Sequence, residues 1–319
     1  MAADLHVITG KGGTGKTTVA AALAIALARD GRRTLLVEVE GRQGLAQLFD
    51  TPPLPYEERR LASAPGRGEV YGLAVDPELA MLEYLEMFYN LRRAGRALRA
   101  MGAVDFVTTI APGLRDVLLT GKVKEATTRQ QRDGTDVYDA VVLDAPPTGR
   151  IRQFLDVTKD VAGLTKVGPI HKQSEGVVRV LHSDRTRIHL VTLLEEMPVQ
   201  ETLDAAKELS AAGFHLGLGI VNRGRPQLFE PGLVTLTKRG ALSNRKILEA
   251  GLVRAGIDSG LTGVLAAELA DYQVRQGVQT ANADRLADLP CPLIRLPELS
   301  PPVDLGGLYE LADHLGAAL

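Results

Sequence analysis

Cysteine is almost missing from this chain: its 319 residues hold one, Cys291. An internal disulfide and a four-cysteine or CxxC metal site are therefore excluded. Cys291 stands in "LPCPLIRLP", at the start of an expected late strand, and reads as a plain buried thiol. A dominant charge is missing as well. Lys plus Arg number 37 against 39 Asp plus Glu, a net charge of -2, so nothing pulls the whole chain toward nucleic acid or anionic lipid. No nucleic-acid partner is expected. Long apolar runs are also missing. The longest is "VAAALAIALA", and a helix needs about 20 apolar residues to cross a bilayer, so no integral membrane span is expected. The start is acidic at Asp4 and carries neither the basic region nor the cleavage site of a signal peptide. A cytoplasmic protein follows, with peripheral membrane association through a partner as a further option. The six histidines offer no closely spaced ligand pair, and His6 and His189 read as core or edge residues of strands. No internal repeat or low-complexity tract is present.

What is there is an alternation of apolar β-favouring runs with helical patterns. Strands are expected at 5–9, 33–39, 69–75, 140–143, 188–194, 216–221 and 292–296, and a helix at 17–29. Runs apolar on both faces belong to a parallel sheet covered by helices. The expected fold is α/β: a mostly parallel sheet flanked by helices, one domain over 1–319, with a helical insertion at about 76–131. "TPPLPYEERR" reads as a loop. Three of the five methionines, Met81, Met87 and Met101, fall in the insertion. Met adapts to irregular partners, so the insertion is either a helix pair over a sheet edge or a surface for a client protein. Residues 227–280 mix strand and helix signals and are not placed.

The strongest local signal is "GKGGTGKTT". Gly10, Gly15, Lys16 and Thr17 fit G-x-x-x-x-G-K-[ST], with an apolar strand before and a helix after. Gly12, Gly13 and Gly15 leave room for backbone N–H groups to cradle phosphates, with Thr14 between them. The helix start adds its positive end. Lys16 is expected on the β and γ phosphates, Thr17 on Mg²⁺ and Thr18 near the α phosphate. ATP or ADP with Mg²⁺ is the expected ligand. Asp144, ending the apolar run in "YDAVVLDAPPTGR", is the expected carboxylate on the magnesium side, and 147–149 a γ-phosphate-sensing switch. Glu38 and Glu40, alternating on one strand face, are the candidates for orienting water or contacting the magnesium shell. Glu40 is preferred for the attacking water.

A second lysine, Lys11, directly after the first glycine resembles the deviant Walker A motif. That class includes MinD, ParA, nitrogenase iron protein and the arsenical pump-driving and tail-anchored-protein targeting ATPases. The last branch is the best match. "VYGLAVDPELAM", "APGLRDVL", "DAPPTGR", "HLVTLLEEMPVQETLDAAKELSAAGF", "IVNRG" and "PLIRLPELSPPVDLGGLYEL" resemble its segments, in its order, over nearly the whole chain. The resemblance implies ATP hydrolysis in a face-to-face dimer. In such a dimer Lys11 reaches the partner's phosphates and stabilises charge as an arginine finger does. It further implies adenine recognition by Asn222, with Pro297 and Glu298 in the adenine-side loop.

This chain departs from the branch at switch I. "EGRQG" stands where that branch has Asp-Pro-Ala-His, so Glu40, Gly41 and Gln43 replace aspartate, proline and histidine. A displacement of about 1 Å can cost about a hundredfold in rate. Hydrolysis is then slow, or the chain is the weakly active half of a heterodimer with a related ATPase rather than a homodimer. Arg42 and Arg150 add positive charge nearby, with a partner phosphate or a carboxylate as targets. The zinc-linking cysteine pair and the three-thiolate arsenite site of that branch are absent. A positioning ATPase of the MinD and ParA kind is the remaining alternative, but "ADHLGAAL" is no basic amphipathic helix.

Overall fold

The computed structural model describes residues 4–89, 112–156, 169–225 and 245–319. Eight strands form one sheet: β1 (Asp4–Gly10), β2 (Arg33–Glu38), β3 (Arg59–Ala64), β4 (Gly68–Ala74), β5 (Ala140–Asp144), β6 (Thr186–Thr192), β7 (Leu216–Gly224) and β8 (Leu293–Pro297). Their spatial order is β3-β4-β2-β5-β1-β6-β7-β8. Every pairing is parallel except β3 with β4. The α/β fold with a mostly parallel, helix-flanked sheet is as the sequence implies.

Alternation along the strands divides the core into two layers. Leu5, Val7, Leu35, Val37, Val141 and Leu143 face one side, and Ile8, Leu36, Val142 and Val191 face the other. The second layer is filled by α1 (Lys16–Leu27) and α10 (Leu305–Gly316). Helix α1 is apolar all round because it is covered all round: Val19 through Ala26 are buried without exception. Its alanines let α10 lie close against it. The first layer is covered by α4 (Pro112–Thr128), α5 (Thr148–Leu155), α6 (Pro169–Leu181) and α7 (Glu196–Ala211). The short α2 (Gly44–Leu48) follows β2, and α3 (Pro77–Tyr89) packs on α4. Helices α8 (Arg245–Arg254) and α9 (Thr262–Leu286) precede β8.

Three expectations need correction, and one unplaced segment is resolved in part. The "TPPLPYEERR" loop runs into a strand at Arg59, because β3 is an antiparallel edge whose Arg, Ala and Ser residues carry little β signal. Of the unplaced segment 227–280, the described residues 245–280 hold helices and a short 3-10 turn and no strand. Strand β2 ends at Glu38, so Glu40 is not on the strand. Cys291 is half-buried, not buried, and lies two residues before β8. Within the insertion, Met81 packs against the core. The side chain of Met87 and all of Met101 lie outside the described residues, as do residues 90–111 of the expected client surface.

His6 and His189 occupy adjacent strands and stack in the layer beneath α1 and α10, with ring centroids 5.3 Å apart. The Leu218 N–H donates to His189 Nδ1, which leaves His189 Nε2 to donate to His6 Nδ1 at 3.1 Å. The core reading of both histidines holds. Among the described residues no cluster of three or more His, Cys, Asp or Glu could hold a metal ion, and no helix is long and apolar enough to cross a membrane.

Candidate nucleotide site

The candidate segments leave the C-terminal ends of parallel strands of the sheet, the edge where parallel α/β sheets bind ligands. The loop 10–17 joins β1 to α1, and Asp144 closes β5. Glu38 closes β2, and Asn222 lies near the end of β7.

The loop's glycines are dictated by space and backbone angle. A Cβ on Gly10 would sit 2.1 Å from the Val191 carbonyl oxygen. Gly15 has a φ of +88° and a Cβ there would meet Asn222 Nδ2 at 2.3 Å. Gly12 and Gly13 face open space, as a phosphate cradle requires. Thr14 pins the loop by donating from its hydroxyl to the Lys11 carbonyl at 2.8 Å. The Lys16 ammonium curls over the same carbonyl at 3.5 Å. Burial lowers the pKa of Lys16, while the charges of Asp144 and Glu40 oppose that shift. Thr18 is partly buried on the first turn of α1.

The Thr17 hydroxyl donates to Asp144 Oδ2 at 2.7 Å. Glu38 Oε1 accepts from the Gly44 N–H at 3.0 Å. A Cβ on Gly44 would press on Thr17 at 3.2 Å, so switch I must approach the loop through a glycine. Among the described residues, the remaining oxygens, Asp144 Oδ1 and Glu38 Oε2, are buried with no hydrogen-bond partner. Burial raises Asp144 to about 6. Two buried oxygens without donors beside a threonine hydroxyl suit a hard cation and its water shell. The residues fit Mg²⁺, which when bound would supply positive charge against that of the phosphates. Thr17, Asp144 and Glu38 are the groups that would hold it.

The other switch residues stand differently from expectation. Glu40 pairs with Arg42 at 3.8 Å. Arg150 pairs with the buried Asp116 at 3.8 Å. These four, with Arg115 and Pro146, line a polar cavity of about 220 Å³, so "EGRQG", "APGLRDVL" and "DAPPTGR" do converge. Gln43 holds the Leu54 backbone through both ends of its amide, which makes it a strut. Asn222 donates to the Thr14 carbonyl at 2.9 Å and accepts from the Arg223 N–H. It also lines a cavity of about 400 Å³ with Leu193, Arg225, Val274, Val278 and Glu298, a volume in the range of small-molecule sites. The Glu298 carboxylate is taken by Arg225 at 2.7 Å, and Pro297 pairs with Gly224 at the β7–β8 edge.

Lys11 points at its own chain. Its ammonium lies 2.6 Å from Glu201 Oε1 on α7, and Glu201 Oε2 accepts from the Thr148 hydroxyl at 3.2 Å. The reading of motifs missed Glu201. Its only signal was topological: a helix following a parallel strand begins at the ligand edge of the sheet.

The family model for anion-transporting ATPases matches residues 4–183. This chain belongs to that family. It is 55% identical to the ATPase BagA of Mycobacterium tuberculosis over 314 residues, 98% of this chain and 92% of that protein. It is 26% identical to the arsenical pump-driving ATPase of Escherichia coli over 238 residues, 67% of this chain and 38% of that longer protein. The corresponding ATPase of Acidiphilium multivorum is 25% identical over 243 residues, 69% of this chain and 39% of that protein. Membership supports ATP hydrolysis as the general chemistry, with ATP and Mg²⁺ at the phosphate loop.

Proposed function

We propose that this chain is a dimeric switch ATPase that couples its nucleotide state to the binding of a partner protein. The observation that carries this reading is the convergence of Lys16, Thr17, Asp144 and Glu38 around two buried, unpartnered carboxylate oxygens. Lys16 and the loop N–H groups bind the phosphates. Thr17, Asp144 and Glu38 face the cation. Glu40 orients the attacking water, and Lys11, whose side chain is about one-third exposed, serves the phosphates of a facing chain. The segment 145–147 is tied to the loop strand, since the Thr9 hydroxyl donates to the Pro146 carbonyl at 2.7 Å, so a change at the phosphate reaches α5. Asn222, Pro297 and Glu298 form the base side.

A second reading has one observation in its favour. Glu40 lies beyond the strand and is engaged by Arg42, which suits a slow subunit paired with a more active relative.

The test is Lys11→Ala. Loss of a trans-acting cation lowers turnover by at least about tenfold, because such groups contribute about 10³–10⁵ in related enzymes. ATP binding persists in calorimetry. Turnover close to wild type contradicts the trans-acting role.

A further inference from the structure

We infer that Glu201 is a positioning residue that holds Lys11 within its own chain until the switch segment moves. The inference rests on the trans-acting role of Lys11 proposed above. A lysine that serves a neighbour can be held against its own chain while no neighbour is docked, and Lys11 stays about one-third exposed there. Glu201 does this with one oxygen, 2.6 Å from the ammonium. Its other oxygen accepts from Thr148, the first residue of α5. Thr148 lies within the 147–149 switch segment, two residues after Pro146, whose carbonyl accepts from the Thr9 hydroxyl. Helices α7 and α5 also pack on each other. One carboxylate therefore joins the lysine and the switch, two parts of the site that share no other contact of this kind among the described residues. A shift of Thr148 on triphosphate binding weakens the grip of Glu201, and the ammonium becomes available across the dimer face. The pair is partly exposed on both sides, so it is weak enough to open. Half-exposed ion pairs are stabilising by an amount equivalent to about a two- to fivefold equilibrium.

The test uses the full chain and amine-selective pulse labelling, with the Lys11 peptide read by mass. Without nucleotide, Glu201→Gln raises the labelling rate at Lys11 by about two- to fivefold and leaves Lys207, exposed on the same helix, unchanged. In the wild-type chain, Mg²⁺ with a non-hydrolysable ATP analogue at a protein concentration too low for dimers produces a similar rise. Thr148→Val reduces that nucleotide-driven rise. Equal Lys11 labelling in wild type and Glu201→Gln overturns the inference, and so does a rise spread evenly over all lysines, which indicates loosening of the fold. These readouts do not depend on turnover. A Lys11→Ala enzyme with full turnover removes the trans-acting role, whereas unchanged labelling removes only the latch.

Discussion

Two places in this molecule gather carboxylates, and they differ in how far cations meet them. Beside β4 and the α3–α4 pair, Glu58, Glu83 and Glu125 are met by Tyr138, Tyr56, Lys122 and Arg129. Lys122 lies 2.9 Å from Glu83 and 3.4 Å from Glu125, Tyr138 donates to Glu58 at 2.6 Å, and Arg129 pairs with Glu58 and Glu125. Burial pushes Glu83 up, yet the hydrogen bonds from Tyr56 and Lys122 outweigh it and hold the group low. Burial also raises both tyrosines. At the phosphate loop, Asp144 and Glu38 are more deeply buried and each keeps one oxygen without a partner. In the first cluster every carboxylate has an ion-pair partner, although Glu125 Oε2 and Arg129 Nε are themselves buried without a hydrogen bond, and the cluster fastens helices to a sheet edge. The second is left incomplete, at a cost of about 1–3 kcal/mol for each unmet buried polar group, which a bound cation and its waters would relieve.

Substitutions in the two clusters should therefore separate activity from stability. The largest effect is expected from Asp144→Asn. Turnover falls by at least about a hundredfold, as for loss of a preorganised charge in an active site, while the thermal midpoint without nucleotide stays level or rises. Lys122→Ala reverses the pattern. It leaves Glu83 and Glu125 short of a cation, lowers stability by about 1–3 kcal/mol in denaturant titration and keeps turnover within about twofold. A Lys122→Ala enzyme that loses turnover without losing stability would place function in the ion-paired cluster and break the comparison.

Acid sharpens the comparison from the other face of the sheet. Burial lowers His6 to about 4 and His189 to about 3, while an unfolded histidine titrates near about 6.5. Their contribution to stability is whole above pH 6.5 and is lost as pH falls toward 4, because the unfolded chain then binds more protons. Asp144, raised to about 6, acts in the opposite sense over the same window. Two imidazoles against one carboxyl leave a net loss. Thermal midpoints should fall between pH 7 and 4.5, and His189→Gln should flatten the slope. The smallest expected effect is Arg42→Ala. It frees Glu40 from a weak, exposed pair and changes turnover by about twofold, and a loss beyond about tenfold would give Arg42 a role on the phosphates.

Much of the nucleotide end could be read from the chain because its residues are consecutive. The loop 10–17 and the strand-end Asp144 are local patterns in which spacing and chemistry coincide. The parallel sheet was legible because strands covered on both faces are apolar on both. What escaped was set by tertiary packing. Glu201 and Lys11 are 190 residues apart, and His6 and His189 are 183 apart; no local period joins either pair. Glu38 and Glu40 were expected on one face, but the strand stops between them and α2 begins only after a turn with Gln43 at a φ of 55°. Strand β3 was missed because an edge needs little apolar content, and its exposed face carries arginines.

The central claim is that one chain's Lys11 completes another chain's site, and mixing two inactive variants tests it most directly. Lys11→Ala keeps a sound Asp144 but lends no lysine, while Asp144→Asn lends a lysine but has no working site of its own. Equal amounts should recover about a quarter of wild-type turnover, because half of the random two-fold dimers then hold one complete site. A mixture no more active than the sum of its parts would contradict the account.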